Sequence, residues 1–211
     1  MTDEKDSLLE TPTIDEKRCQ TVPLSSKVVA LLNKYDSTDD HNQANDILKE
    51  IAQEILPLLG LTSGERYVFR GVSEIGVSNN SASFGQAYIH TPDQILVEVT
   101  QTGREGGLTQ STIDVTDKLE QALYYGLKLH SVPLKQGLIP AFFAISVYDT
   151  DTLMANELLK SPGGHEIRNL DNPNNSQTLI AGHIRTVCFI NPELNSAMHQ
   201  QELKRFLRNL I

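Results

Sequence analysis

The run Ala141-Phe142-Phe143-Ala144-Ile145-Ser146-Val147, opened by Pro140, is the longest strand candidate in the chain. A strand this apolar cannot stand alone in water; it needs strand partners and a layer packed against it. Ile184-Arg185-Thr186-Val187-Cys188-Phe189-Ile190 reads as the last strand, and Arg66-Tyr67-Val68-Phe69-Arg70, closed by Gly71, as the first clear one. Glu166-Ile167-Arg168 and Gln94 to Val99 are shorter strand candidates. Helical spacing supplies the cover. Ala44, Ile47, Leu48, Ile51 and Ile55 form one apolar stripe over about 40–56, with Thr38, Asp39 and Asp40 as caps and Pro57 and Gly60 as the stop. Leu119, Ala122, Leu123, Gly126 and Leu127 form a second stripe within a helix expected from about Thr116 to His130. Val28, Val29, Leu31 and Leu32 begin a short apolar stretch expected to dock on the body. Asn191-Pro192-Glu193 reads as the start of a closing helix with Leu203, Phe206, Leu207 and Leu210 on its apolar face. Helices interleave irregularly with strands, which argues for an α+β fold rather than a βαβ repeat.

Between these elements the sequence predicts irregular structure. Ser73 to Ser83 is rich in Ser, Asn and Gly and reads as a loop, as do Thr102 to Gln110 and the turn Asp171 to Ser176. Met154 to Leu159 reads as a helical turn. Residues 1–27, with six acids in the first twenty, read as a flexible acidic extension ahead of a folded domain over 28–211. The 18 Lys and Arg against 27 Asp and Glu leave a net charge of -9. No basic stripe is visible that would neutralise nucleic-acid phosphates or hold an anionic membrane. No apolar run approaches the ~20 residues that span a bilayer. The amino terminus lacks the basic-then-apolar pattern of a secretory signal. Cys19 lies in a polar segment and Cys188 in an apolar one, so two free thiols are expected rather than a disulfide framework or a cysteine zinc site. The six histidines show no helical metal-ligand spacing, and no metal is expected.

Three elements carry chemistry when taken in order. Phe69-Arg70-Gly71 puts an arginine at the end of a short strand. Ser111-Thr112 precedes the helix that runs through Ala122-Leu123-Tyr124-Tyr125-Gly126. Gly164-His165-Glu166 precedes the strand at Ile184 by about twenty residues. Each alone has a plain structural reading: a solvated strand-end charge, a helix cap, a turn carboxylate. As an ordered set, over roughly residues 64–192, they resemble the R-S-E class of ADP-ribosyltransferases. There the first signature reads FRG or YRG, the second is a Ser-Thr element before an Ala/Tyr-rich helix, and the third is a late glutamate.

The resemblance implies an ADP-ribosyltransferase-like fold of split β-sheets flanked by helices around a nucleotide cleft. It implies NAD as co-substrate and transfer of ADP-ribose to a side chain of an acceptor protein, with release of nicotinamide. It assigns Arg70 to the pyrophosphate, with Gly71, Thr112 and Tyr124 also on the NAD side and Arg66 or Arg104 as further cations. Ser111 would hold the catalytic Glu166, whose carboxylate would stabilise the oxocarbenium-like ribose. Phe84, Tyr88 and Tyr125 are further stacking candidates, and Glu105 is a reserve carboxylate. The chain departs from the family pattern at Ile113, where a serine is frequent, and at Gly164, where Gln or Glu is usual. The second departure keeps an NAD glycohydrolase open, with water as acceptor; a non-catalytic protein-interaction module is the reading outside enzymology. Family members include secreted toxins and effectors, so the resemblance implies either a cytoplasmic protein or one delivered into a host cell.

Overall fold

A computed structural model describes residues 18–61, 66–80, 83–89, 91, 112–127, 139–153, 158–161, 164–168, 182–194, 198–199, 201 and 204–205. The described residues form an α+β structure in which helices cover one face of a mixed four-stranded sheet. In that sheet β1 (Cys19–Pro23), β9 (His183–Ile190), β6 (Phe142–Asp149) and β2 (Tyr67–Ser73) lie side by side in this order. β1 runs parallel to β9, and the other pairs are antiparallel. β6 is buried from Phe142 to Tyr148, as its continuous apolar run requires of a central strand.

The helical layer is made by α1 (Ser26–Asp36), α2 (His41–Ile55) and α3 (Leu119–Leu127). Asp40 caps α2, its carboxylate accepting from the amides of Asn42 and Gln43 at 2.8 and 3.2 Å. A 3-10 turn, Leu56–Leu59, follows α2 and ends at Gly60 in the left-handed region, φ 61°. That conformation suits glycine. Ile47, Ile51 and Ile55 of α2 and Leu123 and Leu127 of α3 are wholly buried with Phe143, Ile145, Val147, Val187 and Phe189 of the sheet. Strand alternation sends the intervening residues to the opposite face. There Val68 and Tyr148 pack with Val115 and Leu153, and Ala141, Phe142, Ala144 and Cys188 form a second small cluster.

A second sheet has the order β5 (Thr112–Val115), β8 (Gly164–Arg168), β7 (Leu158–Ser161), all antiparallel. Among the described residues it meets the first sheet at one bridge. The Phe69 amide donates to the Thr116 carbonyl at 2.7 Å and the Thr116 amide to the Phe69 carbonyl at 2.9 Å. Thr116 also bends the chain towards the next helix, its hydroxyl accepting from the Lys118 amide at 3.2 Å. The described part of α3 therefore begins at Leu119, three residues after the expected start, because Thr116 is held in the bridge.

Other differences have similar causes. Cys19–Pro23, read as part of a polar extension, is a strand because β9 offers a free ladder edge, and α1 begins at Ser26 inside the same segment. The Ser73–Ser83 stretch is not a loop: β3 (Ile75–Asn80) pairs with β4 (Ser83–Ile89), since backbone hydrogen bonding needs no apolar composition. Leu158–Ser161 is a strand and not the end of a helical turn, because β8 pairs with it. Asn191 to Leu194, the expected start of the closing helix, forms a turn in which the Asn191 side chain accepts from the Glu193 amide at 3.1 Å, and the helical residues described there, 198–199, 201 and 204–205, follow it. The candidate strand Gln94–Val99, the loop Thr102–Gln110 and the turn Asp171–Ser176 lie outside the described residues. No helix among the described residues is long and apolar enough to cross a membrane.

Candidate functional site

Arg70 stands on β2 in register with Ser146 of β6; Ser146 is in register with Thr186 of β9, and Thr186 with Cys19 of β1. One row of four residues, none of them aliphatic or aromatic, thus crosses all four strands. Alternation puts Arg70 on the face of Val68 and Val72, away from the helices that cover Phe69. Behind Arg70 the row is closed. Ser146 and Thr186 have no exposed surface, and their hydroxyl oxygens are 2.7 Å apart. Thr186 Oγ1 is also 2.8 Å from Nε2 of buried His183. The His183 ring meets that of Tyr148 edge-on, with centroids 5.6 Å apart.

Tyr148 is wholly buried, and its phenol is pushed up to about 12, chiefly by burial. The positive charge of Arg70 and a hydrogen bond with Ser146 oppose that shift. A hydroxyl can give one proton and accept at two lone pairs, so Ser146 and Thr186 can pass hydrogen bonds along the row. Arg70 is half-buried and is the charged member at the end of the row. A guanidinium backed by buried dipoles suits a phosphate or carboxylate.

The strands bearing the three sequence signatures are β2 with Arg70, β5 with Thr112 and β8 with Glu166. β5 pairs with β8 along its length and joins β2 through the Phe69–Thr116 bridge. Glu166 is in register with Asp114, Thr112 with Arg168, and buried Val115 with His165. Ser111, Arg104 and Glu105 lie outside the described residues. Phe84 and Tyr88 fall on β4, and Arg66 precedes β2 with its carbonyl accepting from the Thr150 amide at 3.2 Å.

Two predicted NAD contacts sit on the helical side. A Cβ on Gly71 would lie 1.7 Å from the carbonyl oxygen of Ala122, so this glycine lets α3 rest its backbone on β2. Tyr124 of α3 packs against the helical core and meets Tyr125 edge-on at 5.6 Å. Its electrostatic neighbour is Tyr35 of α1, whose phenol is pushed up to about 12 by burial and then by Tyr124. Arg70 and Tyr124 therefore belong to opposite faces of the first sheet.

Sequence reasoning missed the Ser146–Thr186–His183 chain, although single hydroxyls inside two apolar strands were the available signal. It also missed a buried pair at the far end of β2. The Glu74 carboxylate accepts from the Ala141 amide at 3.0 Å and lies 2.7 Å from Nε2 of His199, both side chains being buried. These residues are 125 positions apart, and no local pattern links them. Among the described residues, no group of three or more His, Cys, Asp or Glu side chains could hold a metal ion. Both cysteines are free thiols. Family models, curated proteins and solved structures yield no match to this chain.

Proposed function

We propose that this chain is an NAD-dependent mono-ADP-ribosyltransferase built on a split pair of sheets. The observation that carries the reading is the adjacency of β8, β5 and β2: the strands of the three signatures, distant in sequence, are consecutive neighbours across the junction of the two sheets. Arg70 provides local positive charge that an acidic protein needs for a dinucleotide pyrophosphate. Glu166, one strand beyond the Thr112 strand, is the carboxylate for the ribose cation that forms as the bond to nicotinamide breaks. Ser111, immediately before β5, is the hydroxyl that orients it. Gly71 is left to helix packing, and Tyr124 to the helical layer.

Gly164 stands two residues before Glu166, where the family carries the side chain that helps select the acceptor. This favours, as a second reading, hydrolysis of NAD with water as acceptor.

The test is purified protein incubated with NAD labelled in its adenosine half, with and without a cell lysate. Transferase activity labels a lysate protein; hydrolase activity releases nicotinamide without one. Either activity should fall by about a hundredfold or more in Glu166→Gln, as is usual when a group stabilising transition-state charge is removed. Turnover that survives both Glu166→Gln and Arg70→Ala would overturn the assignment.

A further inference from the structure

We propose that Thr186, acting through Ser146 and Tyr148, is a positioning residue for Arg70, so that the buried hydroxyl–imidazole chain sets the affinity of the Arg70 site for a pyrophosphate-bearing ligand. The inference rests on the reading of Arg70 as a phosphate ligand and extends it to residues that no ligand can touch. Thr186, Ser146 and Tyr148 have no exposed surface, so none contacts substrate. Yet Ser146 is the register partner of Arg70, and Tyr148, two residues along the same face, feels the Arg70 charge.

Polar groups buried in a sheet face this apolar lose their water and must be paired. Ser146 is paired with Thr186 at 2.7 Å, and Thr186 with His183 at 2.8 Å. His183 in turn packs its ring on Tyr148, the phenol that feels the Arg70 charge. Each hydrogen bond restricts the rotamers of its two members, so the strand position opposite Arg70 is occupied by a side chain with few alternative arrangements. A long side chain opposite so fixed a neighbour loses less freedom when it meets an anion. The chain is anchored on β9 and β6, strands with none of the three signature residues, so its contribution is separable from theirs.

The experiment measures binding of ADP-ribose by titration calorimetry to the full chain and to Thr186→Val, Thr186→Ser, Ser146→Ala and Arg70→Lys, with thermal melting of each. Valine keeps the shape of threonine and removes the hydroxyl; serine keeps the hydroxyl. Thr186→Val should bind about threefold to tenfold more weakly, the worth of one net hydrogen bond, while Thr186→Ser stays within twofold of the parent, roughly the resolution of such a comparison. The readout that a purely structural role would not move is coupling: in an Arg70→Lys background Thr186→Val should cause no further loss. Should Thr186→Val fail to fold, Ser146→Ala interrogates the same chain from β6 with the same expected outcomes. Unchanged affinity in these variants, or an equal loss with and without Arg70, overturns the positioning role and leaves the proposed function standing. A parent protein that does not bind ADP-ribose overturns both.

Discussion

Gly71 lies where strand and helix backbones touch, and there a single methyl group decides stability. Gly71→Ala places a carbon 1.7 Å from a backbone oxygen that cannot rotate away, so α3 must move. The expected cost is about 3 kcal/mol or more, read as a lower urea midpoint. At the buried pair, His199→Ala leaves Glu74 in the interior with only the Ala141 amide as hydrogen-bond donor among the described residues. A loss of about 3 kcal/mol is expected on the same assay.

Tyr148 makes a pH prediction. Its folded phenol titrates at about 12 against an ordinary value near 10. The fold thus favours the protonated form, and the associated stability is whole below pH 10 and lost as pH rises towards 12. Tyr35 shifts in the same sense and adds to the effect. The melting temperature should fall steeply over that window, and less steeply in Tyr148→Phe, which keeps the Tyr35 share. A parallel decline in parent and variant would show that Tyr148 is not the group responsible.

At the scale of elements, β1 contributes through backbone pairing more than through its side chains. It closes one edge of β9, the Thr186 amide donating to the Arg18 carbonyl at 2.7 Å and the Leu24 amide to the Ile190 carbonyl at 2.8 Å. Removing residues 1–23 should speed hydrogen exchange at the Thr186 amide by about tenfold or more while the α2 amides keep their protection. Unchanged exchange at Thr186 would mean that β1 is not paired in solution. α2 behaves oppositely, being held by its apolar stripe. Ile51 is wholly buried, and Ile51→Ala should cost about 2–5 kcal/mol in unfolding. The stripes of α2 and α3 were legible in sequence because side-chain period reports helix faces directly. β1, β3 and β4 were not, because their pairing is a backbone event between segments whose composition is polar or mixed.

At the scale of the molecule, the junction of the two sheets is the decisive feature. Among the described residues it hangs on one bridge, Phe69 to Thr116, and Thr116 both makes that bridge and turns the chain towards α3. The Ser-Thr pair singled out in the sequence lies five and four residues upstream of this junction, and a later threonine, Thr116, is the one that joins the sheets. The order of the signatures could be read from the chain; that β2, β5 and β8 are neighbours could not.

What the sequence by itself determined is the local grammar: the apolar run of β6, the stripes of α2 and α3, the Asp40 cap, the Gly60 stop and the α+β class. These follow from side-chain periodicity and backbone preference within a few residues. Only the tertiary structure decided that Arg70 shares a row with Ser146, Thr186 and Cys19, that Glu74 meets His199, and that Tyr124 belongs to the helical face. Strand register and long-range burial set those contacts, and they arise from how segments far apart in the chain satisfy one another's backbone and desolvated polar groups.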